Sequence, residues 1–374
     1  MTTSAPSQRE RRTAPREPSP GGSRGGAARL RGLVASAGRA VLTQRVVLLV
    51  VLLVAVVATF TTLSARNYLS APYDAPYMAL ALINAVPLVM LGLAQLLVIT
   101  SGRGGIDLSV GAVVSLTGMV FGLALGEWGW SLAAAVVLAA VFGAACGALN
   151  GVLVAYVGFP PLITTLATYY VFSSLAIVIT GQQPISTEPV QELYGAARAV
   201  PVLGSGPDAI ALPLSILTFL VPTVLVVWVL LNRTTYGRRL YAIGTNDVAA
   251  EWAGIDVRRT RFLAFAGAGL VSGLVAVVTT AQFASARPDA GTAGSGMALP
   301  AITIAVLGGV AITGGIGRVA GVVLAALLVV WLDAGILLAI PGNAGSQFQL
   351  LALGVVLVAA ALLNGLTARR FGTT

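Results

Sequence analysis

Residues 101–112 read SGRGGIDLSVGA, a polar, glycine-rich passage between two long apolar runs. Gly102, Gly104 and Gly105 permit positive φ and close backbone approach. Asp107 is placed to cap a helix beginning at Leu108, accepting from the amide of Ser109 or Val110. The passage is therefore expected to be a tight turn leading from one membrane helix into the next.

The composition around it agrees. Of 374 residues, 57% are hydrophobic and 9% charged, with mean hydropathy +0.92; soluble domains carry about 25% charged residues. A helix needs roughly 17–25 apolar residues to cross the hydrocarbon core. Ten segments qualify, at 46–63, 77–100, 108–126, 131–157, 162–180, 211–232, 262–280, 296–313, 319–340 and 348–364. The expected fold is an all-α polytopic membrane protein with about ten transmembrane helices. Residues 1–43, built from Arg, Ser, Pro, Gly and Ala without an apolar period, are expected to be a disordered cytoplasmic tail. The transmembrane domain follows at 44–366, its first span an uncleaved anchor, and 367–374 form a second cytoplasmic tail.

Every basic residue is arginine, and the arginines set the orientation. With ten spans and a cytoplasmic N-terminus, the inner segments hold Arg103, Arg233, Arg238, Arg239, Arg258, Arg259, Arg261, Arg318, Arg369 and Arg370, while the outer ones hold Arg66, Arg198 and Arg287. This is the positive-inside bias, and it places both termini in the cytoplasm. Spans one to five and six to ten then run in opposite senses. Each half carries one glycine-rich cytoplasmic turn, at 102–105 and 308–317, the pattern of inverted transporter halves.

Missing residue types exclude several chemistries. There is no histidine, hence no imidazole metal site and no histidine base, and without lysine there is no Walker A lysine. The net charge of +9 is topological, with no basic recognition domain for nucleic acid. A single cysteine, Cys146, rules out an intrachain disulfide. Among the 13 acids, Asp333 alone lies well inside a span, in VVWLDAGILLAI. An intramembrane carboxylate is a pathway candidate by default, a solvated or structural role near the span end being the alternative.

The loop at 233–261 contains a second capping pattern. Asn246 can cap a short helix through Ala253, with Asp247 at its positive end and Gly254 just past its last turn. Val248 and Trp252 share a face at i, i+4 spacing. Such a peg either meets a cytoplasmic partner or anchors in lipid headgroups through Trp252 and the arginines.

The stretch GGIDLSVG at 104–111 resembles the signature of permease subunits of bacterial ABC importers for monosaccharides, of the ribose and xylose type. The resemblance continues in order through NGVLVAYVGFPPLITTLAT at 150–168, TGQQPI at 180–185, YGRRLYAIGTNDVAAEWAGIDVRR at 236–259 and AVLGGVAITGGIG at 305–317. VAAEWAG at 248–254 is similar to the EAAxxxG loop by which such permeases dock on their ATPase, with Val248 standing where that motif has glutamate.

The resemblance implies a permease in the bacterial cytoplasmic membrane with no catalytic residue and no metal, and with ATP bound by a partner subunit. It implies an ABC ATPase inside, a sugar-binding protein outside, and a second permease chain, identical or different. On this reading Asn246, Ala249, Ala250, Glu251, Trp252 and Gly254 couple to the ATPase, and Gly104, Gly105, Asp107 and Ser109 form a cytoplasmic turn or gate. Asn84, Gln95, Asn150, Thr164, Thr168 and Asp333 are the candidates for hydrogen bonds to a small sugar-like solute along the pathway. A branched-chain amino-acid permease is the alternative within the superfamily; an ion-coupled transporter or channel is the alternative outside it.

Overall fold

A computed structural model describes residues 45–371 except 198, 205–209 and 294–295. The proposed tail at 1–43 lies outside the described residues.

The chain begins with α1 (Arg45–Ala65), α2 (Ala75–Thr100) and α3 (Val110–Gly122), which ends in a π-helical turn through Glu127. Then come α4 (Leu132–Val152), with a π turn to Val157, and α5 (Pro161–Val178). Two short helices, α6 (Glu188–Glu192) and α7 (Tyr194–Ala197), lead into an antiparallel hairpin of β1 (Ala199–Leu203) and β2 (Ile210–Pro213). The second half comprises α8 (Val221–Arg233), α9 (Thr235–Thr245), α10 (Asp247–Trp252), α11 (Val257–Phe283), α12 (Ala298–Leu307), α13 (Val319–Ala339) and α14 (Asn343–Phe371). Among the described residues, eight helices are long and apolar enough to cross a membrane.

Helix ends follow local chemistry. Asp74 caps α2 by accepting from Tyr77 N, beside a proline in the first turn, and Asp256 caps α11 by accepting from Arg259 N at 2.8 Å. Pro87 interrupts α2 and cannot donate to the carbonyl of Ile83. Gln282 of α11 supplies the missing donor, its Nε2 lying 2.8 Å from that oxygen. A sequence-local defect is thereby repaired by a neighbouring helix.

Helices α2, α3 and α11 form the buried centre, and α1, α4, α5 and α8 surround it with largely exposed apolar faces. The tightest crossing joins α4 to α11, where Gly143 and Gly147 lie against Gly269 and Gly273. Small residues four apart let two backbones touch. A methyl group on Gly147 would strike the carbonyl of Phe265, whereas one on Gly354 of α14 would meet open space. Gly147→Ala is therefore expected to lower stability by about 1–3 kcal/mol, and Gly354→Ala to leave it unchanged or slightly raised. Survival of monodisperse protein after heating in detergent checks the pair.

Three span boundaries differ from expectation. The segment 296–313 is not one span: α12 has ten residues, about 15 Å of helix against a core of about 30 Å. It ends at Gly308 and Gly309, the latter at φ +91°, and residues 287–293 before it are irregular. That irregular chain reaches into the bundle, where Gly291 N donates to Ser115 Oγ of α3 at 2.9 Å. Helix α3 starts at Val110 rather than Leu108, because side chains of Gln95 and Thr165 hold the backbone of residues 106–108 in the turn before it. The span proposed at 211–232 begins only at the π turn from Ile216, since residues 211–213 pair in the hairpin.

Candidate functional site

The turn that opens at Ser101 is clamped from three helices. Gln95 of α2 donates from Nε2 to the carbonyl of Asp107 and accepts from the Asp107 amide. The Asp107 carboxylate turns back on Ser109, accepting from its N at 2.8 Å and its Oγ at 2.6 Å. Asn150 of α4 donates to Ser109 Oγ at 2.8 Å and accepts from Thr168 of α5 at 2.7 Å. Thr165 of α5 accepts from Leu108 N and donates to Ile106 O. Gln95, Asp107, Ser109, Asn150, Thr165 and Thr168 are all buried. Each of these side chains is therefore hydrogen-bonded within the network, as burial requires.

Asp107 thus accepts from Ser109 as expected, but it closes a turn before the helix instead of capping its first residue. Gly102 and Gly104 adopt φ of +79° and +66°, and Arg103 joins them at +56°. Gly105 is needed for a different reason, because a Cβ there would lie 2.5 Å from Val98 O. Thr164 stands apart from the network, its hydroxyl bonded to Pro160 O.

The same turn meets two others. Gly102, Gly244 at the end of α9 and Gly314 and Gly315 after α12 are in backbone contact, and Gly315 N donates to Thr100 O at 3.0 Å. A Cβ on Gly244 would collide with Thr100 O and Gly315 N. Beside this junction, Arg261 Nη2 donates to both carboxylate oxygens of Asp247, at 2.7 and 2.9 Å, and to Ser101 O at 3.1 Å. The Arg261 side chain is 3% exposed; Arg103, which also pairs with Asp247 at 3.3 Å, is 69% exposed. The first turn of α10 is thereby tied to the turn between α2 and α3.

Helix α10 has the expected caps. Asn246 accepts from Ala249 N at 3.0 Å, and Gly254 follows the last turn at φ +79°. Ala250 is buried and sets the helix on the bundle, while Val248 is 64% and Trp252 85% exposed. Glu251 is exposed beside them.

The remaining pathway candidates lie elsewhere. Asn84 and Asp333 share a cleft between α2 and α13, toward the bundle end opposite the glycine junction. Sequence reasoning had no signal for Thr165, which looks like any hydroxyl in an apolar helix. From sequence Arg261 reads only as a topological charge, and nothing there marks Gln349, which lines the same cleft as Asn84. Among the described residues no cluster of acids and cysteine suits a metal ion.

A helical bundle of this hydropathy, with eight described helices long and apolar enough to cross a membrane and polar clamps buried between them, is a polytopic membrane protein. The family model described as "Branched-chain amino acid transport system / permease component" matches residues 77–361, and the chain belongs to that family. It is a transport subunit of the bacterial inner membrane, of the ABC-importer permease type.

Its relatives include the autoinducer 2 import system permease protein LsrD of Photorhabdus laumondii, 36% identical over 265 residues, 71% of this chain and 74% of the relative. The LsrD protein of Yersinia enterocolitica is 36% identical over 254 residues (68% and 72%), and that of Salmonella typhimurium 34% over 286 residues (74% and 78%). A solved metal-chelate type ABC transporter in an inward-facing conformation aligns over 88% of this chain and 99% of its own, at TM-score 0.40 and 16% identity.

Proposed function

We propose that the chain is the translocating subunit of an ATP-driven importer for a small, neutral, monosaccharide-like solute, and that α10 is its contact with a separate ATPase. Relatives named for autoinducer 2 import support the solute class. The observation that carries the coupling role is the mounting of α10. It is capped at both ends, presents Trp252 almost wholly to its surroundings, and is fastened at its root through Asp247 to Arg261. An exposed tryptophan on a rigid mount is the anatomy of a protein contact.

In this reading the arginine-rich end faces the cytoplasm. The ATPase binds ATP, a binding protein delivers solute from outside, and a second permease chain completes the path. Closure of the ATPase displaces α10; Asp247 and Arg261 pass the displacement to Ser101 and the clamped turn, and with it to α2 and α3. The permease converts that shift into alternating access without bond chemistry. Gly104, Gly105, Asp107 and Ser109 act as the hinge of this gate. Gln95, Asn150 and Thr168 contribute to the pathway by fixing the hinge, Thr164 by bonding Pro160 at the start of α5, and Asn84 and Asp333 by facing the solute.

Trp252→Glu tests the coupling role, because it places a charge in an aromatic contact and lies outside every span. The variant is expected to reach wild-type abundance, yet to lose at least 10-fold in co-purified ATPase and in solute-stimulated ATP hydrolysis in proteoliposomes. Wild-type recovery and stimulation would make α10 a headgroup anchor and overturn the assignment.

A further inference from the structure

Among the described residues, one cleft holds two polar side chains that hydrogen bonding leaves uncommitted, the half-buried Asp333 and the exposed Asn84. Gln95, Asn150, Thr165 and Thr168 spend their groups on one another and on the turn. In contrast, no described residue bonds to the carboxylate of Asp333 or to the amide of Asn84. Both line a cleft of about 470 Å³, with Tyr77, Leu88, Leu337 and Gln349 among its walls. That volume lies within the usual range for small-molecule sites, about 300–1,000 Å³. Tyr77 donates to Ala334 O at 3.1 Å and Gln349 Nε2 to Asp333 O at 3.0 Å. These bonds consume the Tyr77 hydroxyl proton and one of the two Gln349 N–H groups, and leave the phenolic and amide oxygens as acceptors.

The cleft therefore offers a surplus of acceptors, N–H donors only from the amides of Asn84 and Gln349, and aliphatic walls. No arginine lines it among the described residues, so an anion would face Asp333 without compensation. A carboxylate held without a partner at this depth points to a ligand that supplies donors. We infer that this cleft is the permease's solute-contact site, in which the Asp333 carboxylate accepts from two hydroxyls of a neutral polyhydroxylated solute and Asn84 and Gln349 bind further hydroxyls. Leu88 and Leu337 cover its C–H faces. The inference rests on the importer reading and goes further by assigning the contact to this cleft, with phosphorylated and carboxylated sugars excluded.

The test uses the whole transporter in proteoliposomes, with permease, ATPase and a saturating concentration of binding protein. The probes are radiolabelled D-ribose, D-xylose and autoinducer 2. At equal permease abundance, Asp333→Leu is expected to cut the initial uptake rate at least 10-fold, with Asp333→Asn, which keeps one acceptor, in between. A second readout separates contact from architecture. In Leu337→Cys, the transported probe should slow alkylation of the introduced thiol at least 5-fold, and a phosphorylated sugar should not; native Cys146 is buried.

If the wild type takes up none of the probes with ATP present, the importer reading fails, and this inference with it. If the wild type transports a probe while Asp333→Leu stays within 2-fold of it, the cleft assignment alone is overturned. The same holds if Leu337→Cys transports the probe and its labelling is unaffected.

Discussion

Asp107→Leu is expected to destabilise the permease by about 4 kcal/mol, and Asp107→Asn by about 1–2 kcal/mol. Leucine removes the acceptor of the Ser109 amide and hydroxyl. Stranding a buried polar group costs roughly 1–3 kcal/mol, and here two are stranded together. The loss propagates, because the Ser109 hydroxyl is also the acceptor for Asn150, which in turn holds Thr168. Asparagine keeps an oxygen facing Ser109 but adds two donors that must find partners in a full network. The fraction remaining monodisperse in detergent across a temperature series measures both variants. Equal losses would show that the negative charge, and not the acceptor geometry, holds the turn.

The second large effect concerns Asp247. Asp247→Ala leaves the buried Arg261 guanidinium without the carboxylate that neutralises it. Removing one member of a buried ion pair costs roughly 3–5 kcal/mol. Asp247 is 23% exposed, so a value near the lower end, about 3 kcal/mol, is expected. The functional loss should exceed the loss of stability: solute-stimulated ATP hydrolysis should fall more than 10-fold although Trp252 still presents the same docking face. Arg103→Ala removes only an exposed partner and should change stability by less than about 1 kcal/mol. The exchange Asp247→Arg with Arg261→Asp should recover part of the coupling, since the pair is re-formed with its polarity reversed. Wild-type stimulation in Asp247→Ala would show that α10 reaches the α2–α3 turn by another route.

Features whose partners lie within a few residues were legible in the sequence. Asn246 caps a helix by reaching Ala249, and Gly254 ends it by its own φ. Both depend on short backbone geometry that residue type fixes almost alone. The apolar segments were legible because burial in lipid is a property of composition, summed over about 20 residues. Family membership was legible for the same reason: the short strings at 104–111 and 248–254 combine such local features in order.

Features whose partners lie far along the chain were not. The Thr165 bond to Leu108 spans 57 positions, and the Arg261 bond to Ser101 spans 160. One polar residue in an apolar run resembles another until the helices are packed. Gln95, Asn150 and Thr168 therefore looked equivalent to Asn84 and Asp333, although the first three are bonded into a clamp and the last two stand free in a cleft. The length of α12 was decided in the same way. Its sequence is strongly apolar, but Gly308 packs against Gly321, and Gly291 in the chain before it finds a hydrogen bond inside the protein that lipid would not supply. The sequence by itself thus determined a membrane bundle with capped turns and a peg. Tertiary packing alone decided which of its polar side chains build the clamp and which remain open to a solute, because a hydrogen-bond partner is chosen by distance in space and not along the chain.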